Sequence, residues 1–158
     1  MPNPIRQQTI QGLQAGDTFT MTRTFTREET ERFGDLTRDY NPVHYDSRWT
    51  DAKGFPGLIC HGLLVGSMIC EAGGQIGWLA SGMRFRFLKP VYFGDTITCT
   101  LTVVSLQENG RAEAEAEFVN QNGMPVGSAT LSGLVPSPAE RRLLETMVAE
   151  GDPTNRLG

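Results

Sequence analysis

Apolar and polar residues alternate from Asp17 to Phe25, with Phe19, Met21 and Phe25 on one side and Thr20, Thr22 and Thr24 on the other. That period of two predicts a half-buried strand. It stops at Thr26-Arg27-Glu28-Glu29, a capping box in which Thr26 caps a helix start and Glu29 reaches back to the Thr26 amide, so a helix is expected to about Thr37. Arg38 to Ile59 carries neither period and contains Asn41-Pro42 and Phe55-Pro56-Gly57, so it is expected to be irregular. A connection of that length inside a compact domain is more often functional than idle. From about His61 to Leu79, Leu63, Leu64, Val65, Met68, Ile69, Ala72, Ile76 and Leu79 cover most of a helical circumference. A helix apolar nearly all round is expected to be buried nearly all round.

Four more alternating segments follow. Met83, Phe85 and Phe87 oppose Arg84 and Arg86, and Ile97, Cys99, Leu101 and Val103 oppose Thr96, Thr98, Thr100 and Thr102. Ala112, Ala114, Ala116 and Phe118 oppose Arg111, Glu113, Glu115 and Glu117, and Val126 to Val135 completes the set with Ala129 and Leu131 on one face. Asn109-Gly110 and Asn122-Gly123 sit between them as hairpin turns, because Asn-Gly accepts positive φ. An antiparallel sheet with a polar outer face, preceded by an all-round apolar helix, closes its core most economically by curling around that helix. The expected fold is therefore α+β, a single hot-dog domain over residues 1–158 with its core at about 15–136. Alanines on the third of these four strands let the sheet approach the helix closely. Ser137-Pro138-Ala139-Glu140 is a second capping box, with Pro at the favoured first position, opening a short helix that docks outside the core. The C-terminal helix and tail occupy 137–158, and Gly151 onward is expected to fray.

Composition narrows the class. A chain of 158 residues with 39% hydrophobic and 20% charged residues is sized for one globular domain. The net charge of −4 leaves no basic surplus for a general nucleic-acid binder. Cys60, Cys70 and Cys99 follow no zinc-ligand or CxxC spacing and sit among apolar residues, as reduced core thiols do. Met1 to Gln14 lacks the apolar stretch of a signal peptide, and the apolar run near 58–80 is interrupted by His61, Glu71, Gln75 and glycines, a poor membrane span. A soluble cytoplasmic protein is expected.

The candidate chemistry concentrates in Asp39-Tyr40-Asn41-Pro42-Val43-His44, with Asp46 two residues on. Pro42 bars ordinary helix there and pushes Asn41 to an extended or turn conformation. A carboxylate and an imidazole on such a segment are suited to hold and activate one water. The only other histidine, His61, opens the apolar run, immediately before Gly62. The chain resembles the MaoC-like dehydratase family, which includes the (R)-specific enoyl-CoA hydratases. The resemblance rests on Gly34 to Asp46, on Ile59-Cys60-His61-Gly62-Leu63-Leu64-Val65-Gly66-Ser67, and on Phe87 to Asp95. It implies a hot-dog dimer or larger homo-oligomer with sites near subunit interfaces, and Asp39 and His44 as the catalytic pair. It further implies syn addition of water to a 2-enoyl-CoA, giving an (R)-3-hydroxyacyl-CoA, or the reverse dehydration. The unpaired N–H groups at the start of the apolar helix favour negative charge, and Gly62 lets a thioester oxygen come close, which makes it the candidate oxyanion donor.

Each residue has a plainer role beside that one. Asp39 before Asn-Pro is a common turn former. Asp46 is expected to orient His44 or to cap local backbone, and Asn41 to tie down the loop. His61 is expected to hydrogen-bond backbone at the helix entrance. Ser67 either supports the loop or bonds back to a carbonyl. Some family members carry serine where this chain has Cys70, so the hydrogen bond assigned to that hydroxyl is not carried over to this chain. Arg84, Arg86 and Lys89 fit either contacts to CoA phosphates or an exposed solvated face. No metal is expected, because His44 and His61 lack a third ligand at fitting spacing, and CoA enters only as part of the substrate. Glu71, the only carboxylate on the expected helix, keeps a thioesterase of the same fold open as an alternative. A non-catalytic acyl-CoA-binding module is the other alternative, which the acid/base pair disfavours.

Overall fold

The computed structural model describes residues 2–156. Its centre is an antiparallel sheet of five strands: β1 (Thr18–Thr24), β2 (Leu79–Phe87), β3 (Thr96–Leu106), β4 (Arg111–Val119) and β5 (Pro125–Leu134). Their spatial order is β1-β3-β4-β5-β2. Burial along the central strands has the period of two read from the sequence. Ile97, Cys99, Leu101 and Val103 of β3 and Ala112, Ala114, Ala116 and Phe118 of β4 all face the core. Each such large apolar side chain contributes about 1.5–3 kcal/mol by leaving water. On the opposite face, cross-strand hydroxyl pairs Thr22–Thr98 and Thr24–Thr96 tie β1 to β3 at 3.2 and 2.7 Å. Gly110 and Gly123 take φ of 84° and 72° in the two turns that join β3 to β4 and β4 to β5.

Helix α2 (Arg27–Thr37) begins at the Thr26 capping box, with both reciprocal bonds made. The core helix differs from the single span expected. It is two helices, α4 (Gly62–Gly66) and α5 (Ile69–Ile76), and Leu79 belongs to β2. The Ser67 hydroxyl donates to the Leu64 carbonyl at 2.6 Å, and the backbone bonds from Met68 to Glu71 shorten to residues three apart. A Gly66-Ser67 pair with a competing hydroxyl is a common cause of such breaks. The two helices are not covered all round either: Leu63, Cys70 and Glu71 are exposed while Val65, Met68, Ile69, Ala72 and Ile76 are buried against the sheet. Cys70 is thus not a core thiol, and Glu71 is not a buried carboxylate.

Three further segments depart from expectation. The stretch from Arg38 to Ile59 contains a 3₁₀ turn at Pro42–His44 and α3 (Ser47–Lys53), started by Asp46. An N-terminal helix, α1 (Pro4–Gln11), is capped by the Asn3 side chain with Pro4 at its first turn. Beyond α6 (Pro138–Glu150), whose Ser137 capping box is complete, residues 151–156, expected to fray, make contacts with the N-terminal segment. Asp152 pairs with buried Arg6 at 2.8 Å, and the Asn155 side chain accepts the Asn3 amide at 2.8 Å. No helix among the described residues is long and apolar enough to cross a membrane.

Candidate active site

Helix α2 ends at Arg38, which takes the left-handed conformation at φ 60° and ψ 27°. That is an unfavourable geometry for a residue with a Cβ, and it redirects the chain into Asp39. The two oxygens of Asp39 then divide their work. Oδ1 accepts the Asn41 amide at 3.2 Å, the turn-forming role. Oδ2 points at two imidazoles, 3.9 Å from Nε2 of His44 and 3.8 Å from Nε2 of His61. Asn41 accepts the Val43 amide at 3.2 Å and so caps the 3₁₀ turn, whose first residue is Pro42. Tyr45 closes the loop onto α2, its hydroxyl filling the space a side chain at Gly34 would take.

His44 is 7% exposed, and its Nδ1 lies 2.8 Å from the Ile59 carbonyl. A carbonyl only accepts, so Nδ1 carries the proton and the neutral ring keeps its lone pair on Nε2, facing Asp39. Burial holds the His44 pKa below its ordinary value. The Ile59 bond opposes that shift, a charge on His61 would deepen it, and the Asp39 carboxylate also opposes it. The orienting group expected of Asp46 is therefore the Ile59 carbonyl instead. Asp46 caps α3 through the Arg48 amide at 3.0 Å, and the Arg48 guanidinium holds its carboxyl down to about 2.

A cavity of about 650 Å³ opens beside these groups, lined by Asp39, His44, His61 and Gly62 and by the apolar Val65, Phe85, Phe118 and Val126. Gly62 and Gly66, one helical turn apart, let β2 pack against α4. A Cβ at Gly62 would lie 2.8 Å from the Phe87 ring, and one at Gly66 would lie 2.9 Å from the Phe85 ring. Those two rings stack in parallel, 6.4 Å between centroids. The spacing of Gly62 and Gly66 against Phe85 and Phe87 is the sequence signal for this wall of the cavity. The Gly62 N–H makes no backbone hydrogen bond among the described residues, as befits the first residue of a helix.

The remaining candidates separate. Arg86 and Lys89 line the cavity, whereas Arg84 belongs to a different groove beside Glu113 and Glu115 on the outer face. Ser67 bonds back to Leu64 rather than to the loop. Glu71 lies outside the cavity lining. Tertiary folding also supplies the third potential metal ligand that spacing did not reveal, since Asp39, His44 and His61 bring ligand atoms within 4.8 Å of one another. The nitrogen His61 turns toward that cluster already donates to the Asp39 carbonyl at 3.0 Å, which leaves it no lone pair for a cation.

An antiparallel sheet around a central helix, with a carboxylate and a neutral imidazole beside an apolar cavity, defines a hot-dog protein with a candidate acid/base site. The MaoC-like domain matches residues 11–122, and the chain belongs to that family. It is 30% identical over 103 residues to the (R)-specific enoyl-CoA hydratase of Aeromonas caviae, covering 63% of this chain and 77% of that protein. It is 31% identical over 101 residues to a mitochondrial 3-hydroxyacyl-[acyl-carrier-protein] dehydratase of Arabidopsis thaliana, covering 61% of this chain and only 59% of that protein. Among solved structures, the (R)-hydratase from A. caviae involved in PHA biosynthesis superposes with a TM-score of 0.75 at 27% identity, covering 80% of this chain and 99% of that one. The unliganded R-hydratase PhaJ1 from Pseudomonas aeruginosa gives 0.74 at 26% identity, covering 81% and 85%.

Proposed function

We propose that the chain catalyses reversible syn hydration of a 2-enoyl thioester, most simply of CoA, to the (R)-3-hydroxyacyl thioester. The observation that carries this is the 3.9 Å gap between Asp39 Oδ2 and His44 Nε2 beside the apolar cavity. The gap exceeds a direct hydrogen bond yet lets both atoms reach one water. Ionised Asp39 and neutral His44 are both acceptors there. A shared water donates one hydrogen to each and keeps a lone pair for the β-carbon. As the C–O bond forms, the π electrons move onto the thioester oxygen, where the Gly62 N–H stabilises the enolate. One of the pair takes a proton from the attacking water, and that proton is delivered by the pair to the α-carbon on the same face. No other atoms enter or leave.

The apolar lining suits an acyl chain, and Arg86 and Lys89 are the cations available to CoA phosphates. Strand β2 is an unpaired sheet edge with Leu79, Met83 and Phe87 exposed by 71%, 48% and 61%, which favours a homodimer or larger homo-oligomer joined along it. The thioesterase alternative is disfavoured because Glu71 faces solvent away from the cavity.

The test is crotonyl-CoA or a longer 2-enoyl-CoA, followed at once by ultraviolet absorbance and by a thiol reagent. Hydration erases the enoyl chromophore and releases no thiol. Stoichiometric thiol release, abolished by Glu71→Gln and indifferent to Asp39→Asn, would install the thioesterase instead.

A further inference from the structure

His61 is 1% exposed and is the residue before α4, but its side chain makes no capping bond to that helix. Its Nε2 instead crosses to the Asp39 carbonyl, 22 residues earlier, at 3.0 Å. Because that carbonyl only accepts, Nε2 carries the proton. Nδ1 is buried with no partner, so a second proton there would be an N–H without an acceptor. The ring also stacks on His44, 3.8 Å between centroids and 27° between planes. Phe33 at 5.1 Å and Tyr45 at 6.2 Å flank it on other sides, so Asp39, His44 and Tyr45 are its titratable neighbours in these contacts.

We propose that His61 is a positioning residue, an Nε2–H donor that clamps the Asp39 backbone beside the His44 ring. That bond fixes the carboxylate beside the imidazole and relative to Gly62, the next residue in the chain. The proposal rests on the hydration function. Its distinctive content is that the donor position on the ring matters, and not merely bulk or polarity at residue 61.

Gln and Asn separate these. The amide nitrogen of Gln falls near the place of Nε2, and that of Asn near the place of Nδ1. His61→Gln is expected to retain most of the turnover, whereas His61→Asn loses roughly 10²-fold in kcat, the scale of a small misplacement of reacting groups, with little change in KM. Equal turnover in the two variants, high or low, overturns the proposal. A second measurement needs no variant: ¹⁵N spectra of the wild-type imidazoles should show His61 protonated on Nε2 and His44 on Nδ1, and any other pair of tautomers also overturns it. Asp39→Asn is the control. If it hydrates like the wild type, the proposed function itself has failed; if it is inactive while His61→Asn is not, only the role of His61 has.

Discussion

Two clusters of polar groups hold irregular backbone in this protein, and they are built to opposite ends. At the termini, the Arg6 guanidinium gives Nε to the Gln75 carbonyl at 2.6 Å, Nη1 to Asp152 at 2.8 Å and Nη2 to the Gly74 carbonyl at 3.4 Å. Beside the cavity, the Asp39 carboxylate and the two imidazoles stop 3.8–3.9 Å apart, and both His61 Nδ1 and the Tyr45 hydroxyl are buried without partners. The Arg6 bonds stabilise the clasp that joins α1, the end of α5 and the tail, although Gln75 Oε1 there is buried without a partner. The gap in the second cluster leaves room for a small polar reactant and costs stability to maintain.

The sharpest way to break that contrast is to remove charge from the open cluster. Asp39→Asn and His44→Gln are each expected to lower turnover by about 10²–10⁴ with the fold intact, the range for a positioned acid or base. The double variant should be little worse than either, because both groups hold one water. Additive losses, or near-normal turnover in a folded single variant, would undo the pairing. Next in size is Gly62→Val, expected to cost roughly 10²-fold in turnover by screening the proposed oxyanion donor. The nearest atoms to the added Cβ are those of the Phe87 ring, which is 61% exposed, so the melting temperature should change less than turnover does. Normal turnover would place the oxyanion site elsewhere.

The closed cluster should answer in the other currency. Arg6→Ala is expected to destabilise by about 1–3 kcal/mol through the acceptors it strands, with kcat unchanged. Denaturant titration and steady-state kinetics on the same preparation check both halves.

The smallest effect is the acid response of His44. Its folded pKa lies below the ordinary 6.5, so between the two values the unfolded chain binds more protons than the native one. Its contribution to stability is complete above 6.5 and is lost as pH falls from there toward the folded value. The neutral form also persists below 6.5, so an acid limb of kcat/KM governed by His44 should fall below that pH. A limb above 6.5 would contradict the burial assigned to it.

Much of the fold was legible because it depends on local periods. The alternation on β3 and β4, both capping boxes and the Asn-Gly turns are each written within a few residues, and each forms as read. The helix break was also written locally, in Gly66-Ser67, but the apolar run around it concealed the signal. Exposure of Cys70, Glu71 and Leu63 was not legible, since hydrophobicity says that a residue tolerates burial and not that something covers it.

By itself the sequence determined the strand faces, the helix starts and the pairing of a carboxylate with an imidazole across Pro42, because backbone sterics and side-chain period act over a handful of residues. Only the tertiary structure decided which atoms meet. It set Ile59 rather than Asp46 as the partner of His44, turned His61 from the start of α4 onto the carbonyl of Asp39, and anchored a tail expected to fray on Arg6. Those contacts join residues 15, 22 and 146 positions apart. No local preference encodes them. They exist because a buried donor left without an acceptor is costly, and the nearest acceptor in space is seldom the nearest in sequence.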